Sequence, residues 1–367
     1  MRIITQIART LVGVLFIFSG FIKANDTIGF SYKLVEYFEV FGTHFMVPLA
    51  TFLAIFICIF EIVVGFTLLI GARMKLTLWL LFLMITFFTF LTFYSAYYNK
   101  VTSCGCFGDA IPLTPWQSFY KDLILLTLII ILFIGRKNIN SLFKPKLENF
   151  FLVIIVVGST AFPLYTYNYL PIIDFRPYKI GTDLYAAIHP QVKYYYALKN
   201  KATGEQKEFE VWPPNWDKEW DFVSSRTEPL DKNIKPIIGF TMQNEYHEDY
   251  TDEFLQKEGY KFLLVEYNLE KAATAVQGKI NDFATMCKNG NIEFAALTSA
   301  DSAAIATFKN QHSINYKFYI NADDVPLKTM IRSNPGLVLL KKSTVINMWH
   351  YHSFPAFSDV KVEFFSK

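Results

Sequence analysis

Ser103-Cys104-Gly105-Cys106-Phe107-Gly108-Asp109 stands between two long apolar runs and holds two of the four cysteines of the chain. Two thiols separated by one glycine can be brought together by local backbone alone. The ring closed by a Cys-x-Cys disulfide is small and strained, so the bond is easily reduced. Strained, exposed disulfides tend to be the catalytic or regulatory ones. Gly105 suits a tight closure, which asks for a backbone conformation that a Cβ disfavours. A structural disulfide and half of a metal site are the competing readings. Zinc needs further ligands, and no nearby His or second Cys pair supplies them.

The apolar runs on either side decide the fold class. Of 367 residues, 52% are hydrophobic and 37 are Phe, too apolar for an ordinary soluble protein. The excess is concentrated before Leu170; the rest is mixed and globular in composition. Five spans are predicted, at about Leu11–Ile22, Phe45–Ile70, Leu76–Tyr97, Phe119–Ile134 and Phe150–Leu170. The basic start, Met1 to Arg9, resembles a signal peptide. No small-x-small cleavage site follows, so an uncleaved first span ending at Lys23 is expected. Asn25 to Thr43 reads as an amphipathic helix at or dipping into the membrane interface. Arg2 and Arg9, Arg73 and Lys75, and Arg136, Lys137, Lys144 and Lys146 fall on one side if the spans alternate, and positive loops stay in the cytoplasm. The cysteine loop and everything after Leu170 then lie outside. In a bacterium that is the periplasm, where disulfides persist. The net charge of +3 gives no argument for nucleic acid.

Two residues of the second span stand out. Cys58 lies roughly 18 Å below the outer surface at ~1.5 Å per residue, too deep to pair with Cys104, and reads as a small hydrophobe. Glu61, one turn further in, is costly in lipid and is a functional candidate: a hydrogen-bonding group within the bundle, a quinone-binding group or a proton relay. A protonated Glu that fixes helix packing is the competing reading.

Beyond Leu170, residues 173–240 form a small β-rich connecting segment, with short strands expected over Asp183–Val211 and Lys235–Phe240. Trp212-Pro213-Pro214-Asn215-Trp216 is an aromatic turn, either a small core cluster or a binding surface. From Lys261, strands and helices alternate (strand to Tyr267, helix Ala272–Cys287, strand Ile292–Leu297, helix Ser302–Gln311 capped by Asp301). They end in a hairpin around Lys341-Lys342-Ser343-Thr344, an α/β sandwich. His350 and His352 are expected to share a strand face.

These residues carry two resemblances. Phe16-Ile17-Phe18-Ser19-Gly20-Phe21-Ile22-Lys23, Glu61 with Gly65 and Leu68-Leu69-Ile70-Gly71, and Cys104-Gly105-Cys106-Phe107-Gly108 make residues 1–145 similar to the DoxX/MauE-like membrane proteins. Such proteins are associated with periplasmic disulfide formation during maturation of partner enzymes. They are similar in architecture to the four-helix quinone-linked thiol oxidases of the vitamin K epoxide reductase type, although those carry Cys-x-x-Cys. The resemblance implies Cys104 and Cys106 as the redox pair, with Asp109, Lys23 and Glu61 as supporting, quinone or proton groups. Residues 241–367 resemble a thioredoxin-like domain, with Arg332-Ser333-Asn334-Pro335-Gly336 matching its cis-proline segment and Pro335 the candidate. The active Cys-x-x-Cys should follow Tyr267, where the chain reads Asn268-Leu269-Glu270-Lys271. That domain cannot run dithiol exchange, and Cys287 reads as a buried structural thiol. The joined arrangement resembles Bacteroidetes DoxX-family proteins.

The expected protein is a four-helix membrane domain (1–145), a fifth transmembrane helix (146–172), the β-rich segment and a degenerate thioredoxin-like periplasmic domain. It is set in a bacterial inner membrane with its N-terminus cytoplasmic. The expected function is thiol-disulfide exchange between periplasmic protein thiols and a membrane quinone, without a metal. The alternative is a non-catalytic anchor or assembly factor that binds envelope proteins.

Overall fold

A computed structural model describes residues 2–101, 105–231 and 234–365. The chain divides into two compact units, Met1–Phe175 and Arg176–Lys367. Cys104, with Thr102 and Ser103, lies outside the described residues.

The first unit is helical: α1 (Arg2–Asn25), α2 (Thr27–Val40), α3 (Ala50–Ile70, entered through a 3-10 turn), α4 (Met74–Tyr98), α5 (Pro115–Gly135) and α6 (Pro145–Asn168). All but α2 are long and apolar enough to cross a membrane. Their outward faces expose Phe52, Phe56, Leu83 and Phe87, side chains whose natural solvent is lipid. Asp26 breaks α1 from α2 by accepting a hydrogen bond from Gly29 N at 2.9 Å, capping α2. The stripe Phe30, Leu34 and Tyr37 of α2 is buried, and Phe30 and Leu34 pack with Ala54 and Cys58 of α3.

Helices α1 and α3 approach closely because glycines line their contact. A Cβ on Gly65 would lie 2.9 Å from Gly13 O and 3.0 Å from Ile17 N. One on Gly20 would lie 2.7 Å from Ile62 Cγ1. Small residues of this kind let helices meet backbone to backbone where no hydrophobic effect drives them together.

Contacts fix the two ends of the bundle. At one, Gln6 donates to Asn138 O (3.1 Å), Arg73 to Asn149 Oδ1 (3.1 Å) and Leu142 N to Ile70 O (2.9 Å). The basic turns after α3 and α5 therefore share the end where α1 begins. Arg9 is not a loop charge: it is buried in α1 and donates to the C-terminal carbonyls of α3, Leu68 O at 2.9 Å and Leu69 O. At the other end Ser19 meets the cysteine loop, Thr27 meets Thr166 of α6 (3.1 Å), and Asn25 grips the Ile173 backbone with both amide atoms (2.7 and 3.0 Å). Lys23 does not end the first span. The helix runs on to Asn25, and Lys23 is buried.

The second unit opens with α7 (Leu184–Ile188), capped by Asp183, where strand was expected. A three-stranded antiparallel sheet follows in the order β2-β1-β3, from β1 (Val192–Asn200), β2 (Gln206–Phe209) and β3 (Trp220–Pro229), with a helical turn α8 (Trp216–Glu219) between β2 and β3. Residues 235–240 form no strand, whereas β3 does. Strand β3 is solvated along most of its length and lacks the alternation that marks a half-buried strand, so backbone pairing with β1 defines it. Trp212 stacks on Tyr196 at 4.5 Å and meets Trp216 in a tilted contact at 4.4 Å.

After α9 (Thr251–Gln256) comes a five-stranded sheet, order β6-β5-β4-β7-β8. Its strands are β4 (Tyr260–Val265), β5 (Glu293–Thr298), β6 (Lys317–Ile320), β7 (Gly336–Lys341) and β8 (Thr344–His350). Strands β4, β5 and β6 are parallel, and β7 and β8 continue antiparallel. Helices α10 (Gln277–Asn289), α11 (Ser302–His312) and α12 (Asp324–Met330) connect them. Phe262 and Leu264 of β4, with Leu337 and Leu339 of β7, pack on Ile280, Phe283 and Cys287 of α10 and Phe308 of α11. Leu263, Val265, Val338 and Leu340 are buried on the opposite face. This is a thioredoxin-like α/β unit. His350 closes β8 and is buried, while His352 belongs to the 3-10 turn Tyr351–Ser353, so the two do not share a strand face.

Gly65→Ala should force α1 and α3 apart, since its new methyl meets backbone, and lower stability by about 1–3 kcal/mol. Gly158→Ala, with nothing within 4 Å of the added carbon, should be silent. Thermal melting in detergent measures both.

Candidate functional site

Lys23 and Glu61 meet inside the first unit. The ammonium donates to both carboxylate oxygens, at 2.5 and 2.7 Å, and to Ser19 Oγ at 2.8 Å, using all three of its protons. Lys23 is 3% exposed and Glu61 2%. The rings of Phe30 and Phe88 face the ammonium at 5.5 and 5.3 Å. Ser19 in turn donates to Cys106 O at 3.1 Å. A chain of polar contacts thus runs from the α3 carboxylate, through the α1 ammonium and hydroxyl, to the backbone of the cysteine loop.

The loop is shaped for that contact. Gly105 has φ +72° and Gly108 φ +48°. Gly108 N donates to Gly105 O and Ala110 N to Phe107 O, both at 3.2 Å. A Cβ on Gly105 would also press on Lys33 Cγ at 3.2 Å. Cys106 and Phe107 are buried against Ile22 and Leu113.

A second ion pair faces the same space. Asp122 of α5 is fully buried and accepts from Lys121 Nζ at 2.6 Å and Thr92 Oγ1 at 3.0 Å. Lys121 Nζ lies 5.4 Å from the centre of the Phe107 ring. Lys23, Glu61, Cys106, Phe107, Lys121 and Asp122 all line one cavity of about 30 Å³. The expected fourth span, Phe119–Ile134, contains Lys121 and Asp122 without marking them as site residues. Their signal is a charged dipeptide nearly two turns inside a mostly apolar helix. Of the other expected site residues, Asp109 is exposed and does not line the cavity. Cys58 is fully buried in the apolar cluster of Phe30, Ala54 and Ile62.

The cavity has room for a water molecule or two, since one water needs about 10–15 Å³. Ligand pockets run to about 300–1,000 Å³. A quinone ring therefore does not fit among these residues as placed.

In the second unit, Asn268 follows β4 where a thioredoxin dithiol would stand. Its side chain accepts from Lys271 N at 3.0 Å, closing the turn. Asn334 Nδ2 donates to Asn268 O at 2.7 Å, and Ala273 N donates to Asn334 O at 3.0 Å. The Asn334–Pro335 bond is cis. The loops that flank the dithiol position are tied to each other by amides. Cys287 is buried on α10, and burial pushes its thiol up to about 12, which makes it inert.

Glu266, just beyond β4, is the group the sequence reading missed. It is fully buried, accepts from Gln277 Nε2, and accepts from Tyr316 Oη at 3.3 Å. Burial pushes its carboxyl up to about 7 despite those two donors. Burial, and less so His352, holds His350 down at about 4.

These shifts oppose each other. Folded Glu266 binds a proton that the unfolded chain gives up near 4.5, so its contribution to stability falls as pH rises from about 4.5 to about 7. Buried His350 stays neutral where the unfolded ring is charged, so its contribution rises between about 4 and 6.5. Each amounts to at most about 3 kcal/mol. Glu266→Gln should leave the histidine slope, stability rising with pH from 4 to 6.5, and His350→Gln the falling one. Hydrogen-exchange protection of β4 and β8 amides in the full chain reads both.

Residues 1–135 match the family described as Methylamine utilisation protein MauE. Protein TlpB of Flavobacterium psychrophilum is 26% identical over 160 residues, 43% of this chain and 42% of that protein. The chain thus spans less than half the length of that curated relative. A secreted Mycobacterium tuberculosis disulfide oxidoreductase homologous to E. coli DsbE aligns over 30% of this chain and 81% of its own, at 17% identity and a TM-score of 0.25. At that score it adds nothing to the sheet order as an argument. The chain is a membrane protein whose N-terminal part carries a MauE-family domain.

Proposed function

We propose that this chain carries out thiol-disulfide exchange at a membrane surface through Cys104 and Cys106. The observation that supports it best is the placement of Cys106: it lines a cavity with the buried Lys23–Glu61 pair and the half-buried Lys121–Asp122 pair, at the end of a bundle that matches the MauE family. Charged groups in lipid are retained for function more often than for stability. In the forward direction a substrate thiolate attacks one sulfur of the oxidised pair, forming a mixed disulfide and releasing the other as thiolate. The second substrate thiol then attacks the substrate sulfur of that mixed disulfide. The substrate leaves oxidised and the pair holds its two electrons. The same steps in reverse, with an oxidised protein dithiol, reset it.

Orientation follows from the basic end of the bundle. Placing it in the cytoplasm puts the N-terminus inside a bacterial inner membrane. The cysteine loop and the end of α6 then face the periplasm, and periplasmic protein thiols are the partners. The thioredoxin-like unit, with Asn268 in place of a cysteine, serves docking.

A second reading is favoured by one observation, the lone inert Cys287 of the second unit. In it the protein is a non-catalytic anchor or assembly factor whose thioredoxin-like unit binds envelope proteins.

Cys106→Ser should let the Cys104 thiolate attack an oxidised protein dithiol, releasing one of its sulfurs as thiolate and holding the other as a mixed disulfide, visible as reducible adducts after acid quenching of cells. Cys104→Ser/Cys106→Ser should abolish the adducts and shift periplasmic thiols toward the reduced form. Unchanged periplasmic thiols and normal growth of the double variant, with failure on removal of the second unit, would establish the anchor reading.

A further inference from the structure

We propose that the Lys23–Glu61 pair sets the redox poise of the cysteine loop: the Lys23 ammonium compensates the thiolate formed on Cys106 by reduction, and Glu61 holds that ammonium in place. This rests on the reading of Cys104 and Cys106 as a redox pair.

Lys23 and Cys106 line the same cavity, and Ser19 bridges them, taking a proton from Lys23 Nζ and giving one to Cys106 O. Lys23 has no packing need for a charge: its neighbours Phe30 and Phe88 would accept an apolar side chain. An ammonium beside a cysteine favours thiolate over thiol, and a stabilised reduced form makes a disulfide more oxidising. Among the described residues, two other cations beside the loop are balanced within their own helices. Lys121 of α5 is paired with Asp122, and Lys33 of α2 is paired with Glu36 at 2.8 Å. Helix α4 contributes Ile85 and Phe88 to the cavity and no charge. Lys23 differs in drawing its carboxylate from another helix, so the charge stays beneath the loop only while α1 and α3 stay together. Both residues are positioning residues.

When two glutathione molecules reduce the pair, they supply two electrons and leave as glutathione disulfide. Of their two protons, one goes to Cys104 and one to solvent, and Cys106 remains a thiolate opposite Lys23.

Removing one partner strands a buried charge and is strongly destabilising, whereas replacing both by apolar residues is often neutral. The test therefore uses Lys23→Met/Glu61→Met, with Lys23→Arg as the conservative variant, in full-length protein in nanodiscs. The pair is titrated in glutathione buffers and read by alkylation and mass spectrometry of the Cys106 peptide. In a Cys104→Ser background, the rate of Cys106 alkylation is followed against pH. The double variant should favour the disulfide at least tenfold more than wild type, about 30 mV for two electrons. Its alkylation midpoint should move to higher pH, and Lys23→Arg should stay near wild type on both readouts. Superimposed curves for wild type and the folded double variant would overturn this inference and leave the exchange function standing. A wild-type pair that glutathione never reduces would overturn the exchange function and this inference together.

Discussion

A charged side chain inside a lipid-spanning bundle must carry its counter-charge with it. Lys23 and Glu61 satisfy that constraint between α1 and α3, with each proton of the ammonium placed on an oxygen. The pair requires the two helices to be near, and the glycines at positions 13, 20 and 65 are what permit it. Once that spacing is set, Ser19 falls within reach of the cysteine loop and Phe107 closes over the cavity. Helix contact, ion pair and loop position are thus one arrangement, held by short-range sterics and long-range charge together.

The second unit meets the cost of buried ionisable groups differently. Glu266 remains partly protonated near neutrality, because its donors only partly offset burial. Lys261 gives its protons to backbone carbonyls at the end of α9, among them Leu255 O and Lys257 O, and burial holds it down at about 8. Among the described residues neither is held in an ion pair. Each is held by hydrogen bonds and shifts its protonation instead, whereas in lipid the cheaper solution is a pair.

The two units also differ in how they hold sulfur. The membrane unit holds Cys106 in a loop with two left-handed glycines and charged neighbours. The thioredoxin-like unit keeps the geometry of its fold, with the loops after β4 and before β7 tied through Asn268 and Asn334, and dispenses with the dithiol.

Length and apolarity alone determined the five membrane-competent helices, because a span in lipid must satisfy its backbone internally and few patterns do so. The short continuous apolar runs of β4, β5 and β7 likewise determined the buried strands of the α/β unit. Tertiary structure decided what pattern cannot encode. Arg9 looked like a loop charge and is a buried cap on α3; β3 has no hydrophobic alternation and exists through pairing with β1. Lys23 and Glu61 lie 38 residues apart, and each alone reads as an isolated charge. Lys121, Asp122 and Ser19 join them only because four helices converge on one small space. Pairing energies depend on distances across the fold, and sequence spacing sets those distances only within a single helix or strand.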